Sequence, residues 1–287
     1  MMEQAIDYKP IIIVILFGFV LLELLIGTFH NREKMKPGDI WIEIVGTLSL
    51  FLIITPFAFY VTPLLLEAVF PGSANAWSGL PWWLMVIVLL LGDDLTQYWW
   101  HRTCHSVPAL YNLHRAHHSC NYMGVRLTYR NNIFYFLLIP SLWAGAALIH
   151  LGLGAVYAVY IIIKQSIIFG AHSTVKWDQK LYAISWLKPF VWVMQRTIST
   201  PTTHFAHHGL NKEDGVTNYK GNYGNLLFFW DVLFGTAKIS QTYPPEYGIE
   251  NIPQKNWKHE MFWPLYTDRN ETVTTSSETV SEQSPAE

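Results

Sequence analysis

Nine of the 12 histidines in this chain fall in four places. His101-Arg102-Thr103-Cys104-His105 is an HxxxH. His114-Arg115-Ala116-His117-His118 and His204-Phe205-Ala206-His207-His208 are both HxxHH, and His172 stands alone. Positions i, i+3 and i+4 of a helix share a face. HxxxH therefore aims two imidazoles one way, and HxxHH can aim three. A structural zinc takes four ligands, so nine rings are too many for one ion. Two metals with four or five ligands each account for the count. Imidazole suits iron, zinc, copper and nickel. A two-metal, all-imidazole site without thiolate points to redox chemistry, and hence to two irons.

Neutral rings leave the metal charge uncompensated, so acceptors are expected on their outer N–H groups. Asp94 is the expected acceptor, because it lies two turns before His101 on the same helical face, together with Tyr98. Asp93 reads as structural. Cys104 and Cys120 read as packing, and the two cysteines form no disulfide framework. Arg126 and Arg130 read as interfacial anchors.

The elements that must position these rings are apolar. Hydrophobic residues make up 51% of the 287-residue chain and charged residues 14%, where soluble domains carry roughly 25%. A net charge of -2 gives no electrostatic case for nucleic acid. Crossing a bilayer takes about 20 apolar residues. Runs over 11–29, 41–70, 82 to about 105, 133–150 and 154–171 predict an all-α polytopic bundle of about five spans. The last two form a hairpin about Leu151-Gly152-Leu153. Loop 30–39 carries Arg32, Lys34 and Lys36, and segment 101–132 carries four arginines; loop 71–81 carries neither Lys nor Arg. Positive charge marks the cytoplasmic side. All nine histidines then gather at one cytoplasmic face, in a helical cap, although no histidine entered the charge count.

The expected division is 1–92 as N-terminal spans and 93–240 as the catalytic region, with its transmembrane hairpin over 133–171. A cytoplasmic segment over 241–269 and a disordered tail over 270–287 follow. The tail is polar and cannot bury enough apolar surface to order. Its Asn270-Glu271-Thr272 matches a glycosylation acceptor that would go unused on the cytoplasmic side.

At the histidine clusters the sequence resembles the fatty acid hydroxylase and sterol desaturase superfamily. The resemblance runs from about Asp94 to Thr236. It takes in the HxxxH, Leu113 to Ser119, Thr128, Arg130, Thr200 to His208, Asn222-Tyr223-Gly224 and Trp230 to Thr236. Within the superfamily it is most similar to bacterial sterol-desaturase-like proteins and, more distantly, to alkylglycerol monooxygenases. The resemblance implies a di-iron centre with dioxygen as oxidant. Carried over by position, its ligands are His101, His105, His114, His117, His118, His172, His204, His207 and His208, with Asn222 to Gly224 shaping the floor of the site. Thr174 departs from the family pattern, which often has Asn there.

No fused haem-domain segment is present, so electrons are expected from a separate carrier, a ferredoxin or a b-type cytochrome. The expected activity is hydroxylation of a lipid C–H bond, with desaturation as the alternative outcome. The lipid is expected to enter from the bilayer past Phe134, Tyr135 and Phe136. A membrane metal transporter is the rival from another class, but such proteins hold ligands near the midplane and often show inverted repeats. Here the histidines lie at one face and no repeat is visible. A haem-binding electron carrier would need paired histidines within the spans.

Overall fold

The computed structural model describes residues 7–30, 33–250 and 255–268. Arg32, Asn270 and the tail over 270–287 lie outside the described residues. Among the described residues the architecture is helical, with only an isolated bridge between Gly209 and Tyr247.

Helix α1 spans Tyr8–Leu25, and the Asp7 carboxylate accepts from Lys9 N at its start. Helix α2 runs over Asp39–Val69, with a π turn at Leu50–Ile54. Helix α3 covers 82–106 and carries a second π turn at Leu90–Leu95, around Asp93 and Asp94. Val107 before Pro108 is extended, as the residue preceding proline prefers. It ends α3, and α4 starts at once over Pro108–His118.

The predicted run over 133–150 is not one helix. It splits into α5 (Ile133–Leu138) and α6 (Pro140–Leu148), because Ile139 is extended before Pro140. The nine residues of α6 rise only about 13 Å, less than half the roughly 30 Å of a hydrocarbon core. Gly152, at φ +109°, then turns the chain back into α7, Gly154–His172. A side chain on Gly152 would meet the Ser78 backbone at 2.9 Å. The predicted hairpin is therefore present, with its first arm broken. Among the described residues three stretches are long and apolar enough to cross a membrane: Tyr8–Leu25, Asp39–Val69 and Pro140–His172, the last containing this turn.

Backbone pairing fixes which ends of the helices lie together. Asn75 N and Trp77 N donate to His150 O and Leu151 O, joining loop 71–81 to the hairpin turn. At the opposite end, one Glu23 oxygen accepts from Val125 N and Thr174 N, at 2.9 and 3.0 Å. This end also receives the close of α3, the start of α2 and His172. Beyond it lie α8 (Trp177–Tyr182), α9 (Lys188–Thr197), α10 (Pro201–His207), α11 (Phe229–Leu233) and α12 (Trp257–Phe262). Around α9, Trp186, Phe190, Trp192 and Val193 are exposed, in the manner of a helix lying in a membrane interface. Met261 of α12 packs with Ile42 and Ala116, which ties the C-terminal segment to α2 and α4.

Arg130 is not an interfacial anchor. It is 1% exposed, and it donates to Asp39 Oδ1 at 2.8 Å, to Ala116 O and to Ser119 Oγ. The segment following α4 carries it in between the end of α4 and the start of α2, where Ala116, Ser119 and Asp39 enclose its guanidinium. Arg126 is also engaged, 3.6 Å from Glu43 and over the rings of Phe29 and Tyr122. Breaking a buried pair leaves an uncompensated charge and costs about 3–5 kcal/mol. Arg130→Met is therefore expected to lower the thermal midpoint in detergent sharply. The Arg130→Met, Asp39→Leu double variant should recover most of the loss, and equal losses in both would place the stability elsewhere.

Candidate metal centre

The nine histidines come together in two groups. His101, His105, His114, His118 and His207 form one; His117, His172, His204 and His208 form the other. Within each group the nitrogens that face inward lie within 4.8 Å of one another. All nine are buried except His105, which is partly so. The sequence motifs do not map one to a group. In α4, His114 and His118 go to the first group and His117 to the second. In α10, His207 goes to the first group, while His204 and the capping residue His208 go to the second. Each HxxHH therefore splits its i, i+4 pair from its third ring. The pair lies about 40° apart around the helix, and the third ring is turned to its other side, about 60° from the first ring and 100° from the last.

The ring tautomers follow from the outer contacts. His101 Nδ1 lies 2.7 Å from Tyr223 O, His114 Nδ1 2.8 Å from Asn131 Oδ1 and His117 Nδ1 3.1 Å from Leu127 O. His172 Nδ1 lies 2.8 Å from Ile168 O and His207 Nδ1 2.8 Å from Gly221 O. Each partner is an acceptor, so each Nδ1 carries the proton and each Nε2 presents a lone pair. Those lone pairs face each other: Nε2 atoms are 2.9 Å apart between His207 and His101, and 3.4 Å apart between His172 and His117. Two lone pairs in contact repel unless a cation lies between them.

A proton would serve only on an imidazolium, and burial opposes that. Desolvation holds His114, His117, His118, His204, His207 and His208 well below the usual imidazole range. Neighbouring rings depress them further. His105 Nε2, buried without a hydrogen-bond partner, is also suited to a metal. The donor set fits two metal ions.

Asp94 does not hold a histidine. Its Oδ2 accepts from Trp230 Nε1 at 2.8 Å and from Leu227 N at 3.2 Å. Two helical turns amount to about 10 Å, beyond the reach of a carboxylate, so backbone carbonyls take the role instead. Two of them, Gly221 O and Tyr223 O, come from one tight loop. Asn222 there is left-handed at φ +56°, and its side chain donates to Thr203 O and Lys238 O. Buried Asp231 accepts from Tyr223 N, Gly224 N and Thr236 Oγ1. A side chain on Gly221 would lie 2.3 Å from Thr236 O.

Sequence reasoning missed Asp231, Asn131 and Glu23 as positioning residues. Glu23 had a signal, being the one acid in an apolar run; Asn131 had none. Asp93 pairs with Lys164 at 2.7 Å. Cys104 and Cys120 are buried and belong to neither histidine group.

A family model described as fatty acid hydroxylase matches residues 86–236, and these hold every one of the nine rings. The chain belongs to the fatty acid hydroxylase family. It is 30% identical to the alkylglycerol monooxygenase of Danio rerio over 56% of this chain and 31% of that protein. It is 26% identical to that of Homo sapiens over 82% of this chain and 49% of the relative. The chain thus spans a third to a half of the curated relatives it matches. No solved structure matches it.

Two predictions follow from the geometry. Asp231→Asn removes a loop acceptor without changing volume, and is expected to weaken metal binding by about tenfold or more. A chelator competition titration measures this, and unchanged affinity would mean the loop is held by other contacts. The second concerns pH. Imidazoles kept neutral by burial bind fewer protons folded than unfolded, so stability rises with pH over that range. Chelator-treated protein is expected to lose thermal stability as pH falls below about 6.5. Bound metal should move that loss to lower pH, and a flat profile would contradict the desolvated state of the rings.

Proposed function

We propose that this chain is a multi-pass membrane enzyme that binds two irons through the nine histidines and uses dioxygen to hydroxylate a lipid. The observation that carries the proposal is the pair of convergent imidazole groups whose Nε2 lone pairs face one another. Zinc has no redox chemistry, whereas the activity for which the relatives are named, monooxygenase, requires it. Iron is thus the metal that suits both the donors and the family. When bound, it would supply the activation of dioxygen for attack on an unactivated C–H bond.

The residues of this chain supply position and dryness. A cavity of about 150 Å³ reaches His101, His114, His117 and His172 at one end. It continues between Phe136, Ile139, Leu142 and Ile161. Apolar walls of this kind receive an alkyl chain and keep water from the oxidising site. The Tyr135 ring stacks on His114 at 4.8 Å between centroids and closes that end. Tyr135 and Phe136 line the cavity and Phe134 packs into the core beside it, which supports entry of the lipid past this segment.

The broken arm at Ile139 also lines the cavity. Irregular backbone at membrane depth is tolerated where it lines a cavity or is buried in protein. Hydroxylation is favoured over desaturation because the relatives are monooxygenases. An alkylglycerol is the first substrate to try. Electrons come from a separate ferredoxin- or b-type-cytochrome-like carrier, and the histidine end faces the cytoplasm.

The test is metal content per chain in detergent-purified protein after iron reconstitution. Wild type is expected to hold close to two irons. His117→Ala and His207→Ala remove one ring from each group, so each single variant should lose about half and the double variant nearly all. Under ¹⁸O₂ with a chemical reductant, the lipid product should carry one labelled oxygen. Well-folded wild type without stoichiometric metal would sink the proposal.

A further inference from the structure

The cavity that meets the histidines also contains a full ion pair. Lys164 of α7 donates to Asp93 Oδ1 of α3 at 2.7 Å, and each side chain is only 4% exposed. Both line the cavity, with Gln97 and Gln165 beside them. Stability alone does not explain the pair. Replacing a buried ion pair with well-packed apolar residues is often neutral or favourable, and charge inside a membrane segment marks function by default. An ammonium has three donors. Asp93 takes one; Lys164 also interacts electrostatically with Asp94, and its Nζ lies 5.7 Å from the Tyr160 ring centroid.

The geometry points to Asp93 and Lys164 as the element of the cavity that recognises the polar end of the lipid, selecting a neutral, hydroxylated end. This rests on the oxygenase reading of the same site. A hydroxyl both donates and accepts. It can accept from Lys164 and donate to Asp93 without disturbing their balance of charge. A carboxylate end meets Asp93 as a like charge, and an ammonium end meets Lys164. Free fatty acids and amino lipids are therefore disfavoured by the same pair that welcomes an alcohol or a glycerol. Gln97 and Gln165, neutral amides on the same wall, add hydrogen-bonding capacity without changing the charge.

The test is competition binding to the iron-loaded full chain in nanodiscs. The probe is radiolabelled 1-O-hexadecylglycerol, and the competitors are unlabelled hexadecanol, palmitate and hexadecylamine. In wild type, hexadecanol should compete about tenfold or more better than either charged lipid, as expected for hydrogen bonds to buried charges. Asp93→Asn leaves the ammonium unbalanced and should raise competition by palmitate. Lys164→Met leaves the carboxylate and should raise competition by hexadecylamine. These opposite shifts are not what a merely structural pair would give.

If a single variant fails to fold, the Asp93→Leu, Lys164→Met double variant removes both charges together. It should still bind the alkyl chain but lose the ranking of head groups. A wild-type ranking that persists in the double variant would overturn the assignment. If the rankings shift as described while no lipid is oxidised, the assignment stands and the oxygenase reading fails. If lipid is oxidised and the rankings do not shift, only the assignment fails.

Discussion

Everything in this structure answers to one electrostatic problem: nine uncharged imidazoles turned inward, lone pair toward lone pair. Such an arrangement has no stability of its own without a cation. It must be held from outside, and the protein does this by fixing the far nitrogen of the rings. Four of the five outer acceptors identified are backbone carbonyls. A backbone carbonyl cannot swing away as a side chain can, so ring orientation is tied to the path of the chain. That explains why the parts that look least like an active site are the most constrained. The 221–224 loop, the segment after α4 and the last turn of α7 are shaped by where their carbonyls must point.

The scaffold around the centre uses buried charge for the same end. Asp39 with Arg130, Glu260 with Arg115 and the lone Glu23 are all buried where separate segments meet. Glu23 joins α1 to the backbone on both sides of the centre, at Val125 and Thr174. Each such contact holds only if its partners arrive in register. The histidine end is therefore locked by buried charge, while the opposite end is closed by a short loop, a glycine turn and the part-exposed pair of Glu67 with His150.

Much of this was legible in the residues. The histidine spacings, the apolar runs and the loop charges together placed nine rings at one end of a helical bundle, and the helices bring them there. The two cysteines, read as packing, are buried and belong to neither histidine group. What could not be read is what depends on three-dimensional closeness. Helical phase suggested Asp94 for His101, but phase says nothing of a 10 Å rise along the axis. The acceptor is a carbonyl, which every residue has and no sequence pattern marks. Arg130 looked like an anchor because arginine near a span usually is one. Its burial comes from its own segment turning it inward against α4 and the start of α2. The run over 133–150 was apolar enough to read as one span, and only the extended residue before Pro140 divides it.

The crossing of the two HxxHH motifs between the groups has a mechanical meaning. Helix α4 gives two rings to one metal position and one to the other, and α10 does the reverse. Neither helix can turn about its axis to suit one position without spoiling the other. The two positions are coupled like gears on common shafts: an ion in the first would fix the rotation of both helices and so aim the rings of the second. The empty form, with its lone pairs unscreened, is then the strained state.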